Sequence, residues 1–304
     1  MNRVTGFLLS ILALPFLLQA KVYDCFPFFN ELELLEMRFE ELDEIVDYFV
    51  LVESIETQRG DSKHLYFKEN QHRFKKYLPK IIHVMVEERH PEMGLWEREN
   101  FQRNCIMRGL KNCHKSDVIL ISDLDEIPRA SVIKKLAPLL ASAKPVSFAE
   151  SPSFRSGKNQ SKFQKKYAQM GTYALQMGNY YYQLNRQIDN VGEDGWHNRI
   201  WCGTVIMPYA KLMQKTPQYF RNKKDKLPKI SQAGWHFSWM GGREKIRLKL
   251  SSIVEGRDKA EVMTDEEIDR WLARHPPVPI DDSFPDYVHK NIIHLKEIGF
   301  VAEK

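Results

Sequence analysis

The chain has 304 residues, 43% of them hydrophobic and 28% charged, which is the make-up of a globular protein and excludes a disordered one. A formal net charge of +5 is a mild excess that suits anionic small molecules or a phosphate-bearing ligand. It is too small, and lacks the interleaved arginines and aromatics, to point to nucleic acid.

Residues 1–20 stand apart. Arg3 gives a positive start, residues 7–18 are apolar, and Leu18-Gln19-Ala20 resembles a small-residue cleavage site. That is the layout of a signal peptide or a short signal anchor, the apolar stretch being brief for a membrane span of about twenty residues. Residues 22–29 then read as a first strand, 31–42 as an amphipathic helix, and 48–52 as a second, buried strand ending at Glu53. A loop over 55–63, a third strand over 81–86, a helix over 96–110 and a fourth strand over 117–122 follow. Strands and helices alternate, which predicts an α/β layer fold with a mostly parallel sheet. Beyond Pro128 come a short helix over 131–143, a polar stretch over 151–169, and strands over 173–184 and 200–207. A short apolar segment at 235–239 precedes helical character from about 244 onward. Residues 21–304 thus read as one domain with a helical C-terminal part. The basic segment 215–229 reads as a solvated, mobile loop, with a lid over a diphosphate as the alternative.

Cys25, Cys105, Cys113 and Cys202 include no C-x-x-C pair, so a zinc site is not expected. One or two disulfides and buried free thiols are both open. Asn159-Gln160-Ser161 is the one glycosylation sequon.

The chemistry concentrates in residues 117–129, DVILISDLDEIPR. An apolar strand stops abruptly at Asp123, Asp125 and Glu126, on the strand edge where open α/β sheets bind ligands. Side chains at i and i+2 of an extended chain project the same way, so Asp123 and Asp125 suit one shared cation. Their hard oxygens favour Mg²⁺ or Mn²⁺, which in turn favour phosphate oxygens. About one such Asp pair arises by chance in a chain this long, and a plain polar strand exit is the competing account. Downstream, His236 sits within Ala233-Gly234-Trp235-His236-Phe237-Ser238-Trp239, followed by Gly241-Gly242-Arg243. Neutral imidazole can ligate Mn²⁺, and an Arg nearby can offset charge on a diphosphate.

Around these residues the sequence resembles glycosyltransferase family 17. The resemblance runs through Tyr23-Asp24-Cys25-Phe26, Phe28–Glu36 with Arg38, residues 46–54, residues 63–67, Trp96–Glu99 with Gln102-Arg103-Asn104, residues 122–129 and residues 233–238. It implies a GT-A type (Rossmann-like) fold, a divalent metal, a UDP-sugar donor and inversion at the anomeric carbon. It also implies transfer of GlcNAc, β-1,4, onto a glycan or glycoprotein acceptor such as the mannose of an N-glycan core. Asp123 and Asp125 would then hold metal, diphosphate and donor ribose, with His236 a further metal ligand. After Lys249 the family often carries a Ser-Phe-x-His-like stretch, where this chain reads Ser251-Ser252-Ile253-Val254-Glu255.

Inverting transfer needs a general base at the acceptor hydroxyl. Glu193 and Asp194, on a Gly-flanked loop, are candidates, with Glu126 and Glu150 behind them; a simple turn is the plainer account of Glu193-Asp194-Gly195. Glu53 and Arg103 are candidates for uracil or ribose and for a phosphate, against ordinary ion pairs. Trp196, Trp201, Trp235 and Trp239 are candidates for a sugar platform, against core packing. A metal-dependent phosphohydrolase and a non-catalytic, secreted carbohydrate-binding protein remain as alternatives. The N-terminal segment predicts a secretory or Golgi compartment in a eukaryote, lumenal or attached to the membrane by that segment, or export from a bacterium.

Overall fold

A computed structural model describes residues 20–142, 171–188, 199–252 and 264–302. In chain order, β1 (Val22–Phe28), α1 (Leu32–Leu42), β2 (Tyr48–Ser54), α2 (Tyr66–Asn70), β3 (Ile81–Val86), α3 (Leu95–Asn104), α4 (Ile106–Gly109) and β4 (Val118–Ile121) form the first half. The second half comprises β5 (Glu126–Pro128), α5 (Ala130–Ala141), β6 (Tyr173–Tyr181), β7 (Ile200–Pro208), α6 (Tyr209–Leu212) and α7 (Pro217–Arg221). It continues with β8 (Lys229–Ile230), β9 (Gly234–Ser238), α8 (Gly242–Ser252), α9 (Asp265–Arg274), α10 (Asp286–Lys290) and α11 (Ile292–Glu297).

The strands make a single sheet in the order β3-β2-β1-β4-β7-β6-β9-β5, with β8 on β6. β1, β2, β3 and β4 are mutually parallel, while β7 runs antiparallel between β4 and β6. This mixed, largely parallel sheet with helices is the α/β, GT-A type layout that the resemblance implies. Alternation along each strand divides the core. Phe26, Phe28, Phe49, Leu51 and Leu120 pack on one face with α1, α5 and the C-terminal α10 and α11. Cys25, Val50, Val52, Ile119 and Ile121 pack on the other with Ile106, Leu212 and Phe220. Both faces of β1, β2 and β4 are thus covered, which explains their largely apolar runs, whereas β3 at the sheet edge leaves Met85 exposed.

The chain order reverses between β1 and β4, so the crevice at their carboxyl ends is where such a sheet binds ligands. Asp123 and Asp125 lie there. Three local expectations are corrected. The helix expected over 96–110 breaks into α3 and α4 at Cys105. Residues 126–128, where a plain polar strand exit is the competing account, form β5, antiparallel to β9 with Glu126 opposite His236. The segment 215–229 is not a mobile loop: Thr216 Oγ1 accepts from Tyr219 N at 3.2 Å and Pro217 opens α7. The four cysteines are free thiols, two buried and two partly so.

Candidate active site

The carboxylate loop is shaped from behind by Arg38, whose side chain is fully buried on α1. Its Nε and Nη2 grip Asp24 at 2.7 and 2.6 Å. Its Nη1 donates to the carbonyls of Asp123, Leu124 and Glu126 at 3.1, 3.0 and 2.9 Å. Three carbonyls converging on one nitrogen fold the backbone tightly after β4. A guanidinium is suited to this, because its fixed fork satisfies several acceptors without deprotonating.

Two buried arginines then claim Asp123. Arg103 of α3 donates from Nη2 to Oδ1 at 2.7 Å, and Arg221 of α7 from Nη2 to Oδ2 at 2.6 Å. Burial would raise the Asp123 pKa, but the charges of Arg103 and Arg221 outweigh it and hold the carboxyl far below its usual range. Arg103 also pairs with Glu99 at 2.6 Å. The Arg221 guanidinium reaches Glu126 at 2.7 and 2.9 Å and the Gly203 carbonyl at 2.8 Å. Glu126 is completely buried and accepts further from Trp201 Nε1 at 2.7 Å and Asp123 N at 3.0 Å. So placed, Glu126 organises the loop, its carboxylate oxygens engaged by Arg221, Trp201 and the Asp123 amide. Gly203 leaves it room: a Cβ there would lie 3.0 Å from the Glu126 carboxyl carbon.

Asp125 faces different partners. Its Oδ2 lies 2.9 Å from Lys249 Nζ, and its Oδ1 lies 3.7 Å from His236 Nε2. Burial raises the Asp125 pKa, and the charge of Lys249 foremost more than reverses this. For Lys249 burial works downward, but Asp125 and Glu31 win and raise it. His236 comes from β9, whose close pairing with β5 depends on Gly234, where a Cβ would meet the Ile127 carbonyl at 2.2 Å. His236 Nδ1 is 2.8 Å from Asn179 Oδ1 on the neighbouring β6, and its ring stacks on Trp201 at 4.5 Å. Burial lowers the His236 pKa despite the nearby carboxylates, favouring neutral imidazole. With Nδ1–H donated to Asn179, the Nε2 lone pair faces the Asp125 carboxylate. Two lone-pair donors aimed at each other suit a cation between them. Among the described residues no cluster of three or more His, Cys, Asp or Glu forms a metal site. A hard cation here would draw its other ligands from water and phosphate, as Mg²⁺ commonly does.

The remaining candidates are dispersed. Glu53 is fully buried, with Oε1 accepting from Phe67 N at 2.7 Å and Oε2 3.0 Å from His83 Nε2. It serves the start of α2 instead of standing open to a ligand. Arg243 is exposed and pairs with Asp269 and Asp265 of α9, away from the carboxylates. The cations facing the cluster are instead Arg103, Arg221, Lys249 and Lys224, whose Nζ lies 3.8 Å above the Trp201 ring. Trp235 is core, with Nε1 bonded to the Ser283 carbonyl at 3.1 Å, while Lys249 Nζ lies 5.7 Å over Trp239. Glu193, Asp194, Glu150 and Trp196 lie outside the described residues, as does the sequon.

Arg38 and Asp24 fall in the sequence block that carries the family resemblance, which marks the block without revealing their contact. Arg221 carried no such mark. Its only signal was a Thr-Pro helix start placed four residues before it.

The family model for glycosyltransferase family 17 matches residues 16–233, more than half of the chain. The chain belongs to glycosyltransferase family 17. Its similarity to a relative, the β-1,4-mannosyl-glycoprotein 4-β-N-acetylglucosaminyltransferase of Homo sapiens, is 32% identity over 107 residues, 33% of this chain and 20% of that protein. The Mus musculus enzyme of the same name is 26% identical over 249 residues, 75% of this chain and 41% of that one. The family 17 chain therefore spans no more than about two fifths of these relatives. Among solved structures, a distant likeness is glucosyl-3-phosphoglycerate synthase from Mycobacterium tuberculosis, in complex with Mn²⁺ and UDP-glucose. It has a TM-score of 0.32 and 11% identity, covering 71% of this chain and 70% of that one.

Proposed function

We propose that this family 17 protein is an inverting, metal-dependent transferase that moves a sugar from a UDP-sugar to a glycan. The donor is UDP-GlcNAc and the product a β-1,4 linkage, on an acceptor such as the mannose of an N-glycan core. The observation that carries this reading is Asp125 and His236, presenting an oxygen and a neutral nitrogen 3.7 Å apart at the topological switch point of the sheet. Both mammalian relatives are named for GlcNAc transfer to a mannosyl glycoprotein, which supports the choice of donor and acceptor.

Asp125 and His236 would hold Mn²⁺ or Mg²⁺. When bound, that ion supplies Lewis acidity that offsets charge on the departing diphosphate. Asp123, fixed by Arg103 and Arg221, is held in one orientation toward donor ribose and phosphate. Arg103, Arg221 and Lys224 set a positive potential around the leaving group before it departs, so little reorganisation is needed as charge develops. Trp201 keeps the His236 ring in plane and shields it from water. The acceptor hydroxyl loses its proton to Glu193 or Asp194, which lie outside the described residues. Residues 1–20 deliver the protein to a secretory lumen or across a bacterial inner membrane.

The test is UDP release from UDP-GlcNAc with Mn²⁺, with and without mannosyl glycan acceptors and with EDTA. Acceptor-dependent, EDTA-sensitive release is expected, and Asp125→Ala should abolish it. Full activity of that variant would sink the metal assignment. Phosphate release from phosphoesters without UDP release would sink transferase activity altogether.

A further inference from the structure

The two aspartates of the loop are held by chemically different cations. Asp123 is gripped by two guanidinium groups, each buried and each committed to a second carboxylate. Asp125 is held by one ammonium, Lys249 Nζ, at 2.9 Å. That same ammonium lies 3.3 Å from Glu31 Oε1, just beyond β1. A guanidinium is a rigid fork that fixes a carboxylate, whereas an ammonium is a point charge on a flexible stem that can pass between acceptors.

Resting on the metal reading given above, we infer that Lys249 is the resident counter-cation of Asp125, which a divalent ion must displace, and that Glu31 receives the displaced ammonium. The carboxylate concerned is the one whose other oxygen faces His236 Nε2. A divalent ion seated there would stand within a few ångströms of Lys249, and like charges so close repel strongly in a partly buried site. With Lys249 in place, Asp125 is neutralised in the empty site, so the crevice does not carry an unpaired buried charge between turnovers.

Lys249 rides on α8, which permits its movement. The helix starts at Gly242, and Gly241 and Gly242 adopt φ of 104° and 82°, a backbone that L side chains rarely accept. Among the described residues, two polar ties besides those of Lys249 run from α8 to α1 and to the loop after β2. Lys245 pairs with Glu33 at 2.9 Å, and Arg59 Nη1 donates to the Ser251 carbonyl at 3.0 Å, both exposed. The helix therefore ties metal occupancy to the loops at the ends of β1 and β2. Lys249 acts as a positioning residue for Asp125.

The experiment is titration of the full chain with Mn²⁺ alone, followed by electron paramagnetic resonance of the free ion, with no sugar nucleotide present. Lys249→Met should bind Mn²⁺ about tenfold more tightly than wild type, the effect of removing one competing, largely buried ion pair. Glu31→Gln should bind it more weakly, because the expelled ammonium loses its acceptor. A merely structural Lys249 would weaken binding on substitution, so the opposite signs are diagnostic. Hydrogen exchange adds a second readout: Mn²⁺ should speed exchange of α8 amides in wild type and leave Lys249→Met unchanged. If Asp125→Asn abolishes Mn²⁺ binding but Lys249→Met binds no better than wild type, the inference is overturned and the metal site stands. If Asp125→Asn binds Mn²⁺ like wild type, the metal reading itself has failed.

Discussion

Arg221 carries the sharpest prediction. Replacing it with Met keeps much of the aliphatic stem and deletes four hydrogen bonds: two to Glu126, one to Gly203 and one to Asp123. Glu126 is completely buried, so its charge would remain in a low-dielectric setting with, among the described residues, Trp201 Nε1 and one backbone N–H as donors. Removing one partner of a buried ion pair costs about 3–5 kcal/mol, mostly through the charge left behind. Arg221→Met should therefore lower unfolding free energy by about that amount in urea titration. The second half of the reasoning is that the stranded charge, not lost packing, is responsible. Adding Glu126→Gln to Arg221→Met should then recover about half or more of the loss, a coupling visible in a double-mutant cycle. A loss under about 1 kcal/mol in the single variant, or strict additivity in the double, would refute this account of the site.

Gly234→Ala would drive a Cβ to 2.2 Å from the Ile127 carbonyl, a backbone clash that no side-chain rotation relieves. It should cost about 3 kcal/mol and loosen Mn²⁺ binding by parting β5 from β9, with calorimetry and the metal titration as readouts. Lys63, whose pKa burial pushes down to about 8 from 10.5, should impose a pH signature on stability. The folded state holds fewer protons than the unfolded one between those values, so stability rises with pH across that window. At about 1.4 kcal/mol per pH unit the full effect is about 3.5 kcal/mol. Lys63→Met should remove this rise relative to wild type in denaturant titrations between pH 8 and 10.5; parallel pH profiles would contradict it.

The parallel half of the fold was legible because burial on both faces of β1, β2 and β4 writes largely apolar runs, and the segments read at 22–29, 48–52, 81–86 and 117–122 each overlap a strand. β5 was not, since three residues carry no periodicity and Pro128 argues for a turn; only pairing with β9 makes Glu126–Pro128 a strand. The acidic cluster was legible as a strand-end feature, and His236 by its aromatic setting. Arg221 was hidden because the basic composition of 215–229 is that of a solvated loop. What buries its guanidinium is a set of carboxylates some hundred residues earlier, and composition within a window cannot register them. Arg243 misled for the converse reason: its nearness in sequence to His236 hides the reversal at Gly241–Gly242 that sends it toward α9.

The two aspartates look equivalent in the sequence, i and i+2 on one extended stretch, yet their neighbourhoods drive them to different work. Asp123 receives two fixed positive charges and is so committed to them that a further cation would have to compete with both. Asp125 receives one movable charge and one neutral nitrogen lone pair, an arrangement that admits a cation at lower cost. Glu126 stands in neither position, because its buried oxygens are consumed in holding Arg221 and Trp201 where Asp123 and His236 need them. The difference arises from α7 arriving on one side of the loop and α8 on the other. A swap of charge type tests the division: Arg103→Lys should leave Mn²⁺ affinity nearly unchanged while lowering stability, and Lys249→Arg should suppress Mn²⁺ binding while leaving stability nearly unchanged. Equal responses of both variants in the two assays would mean that the carboxylates share one role after all.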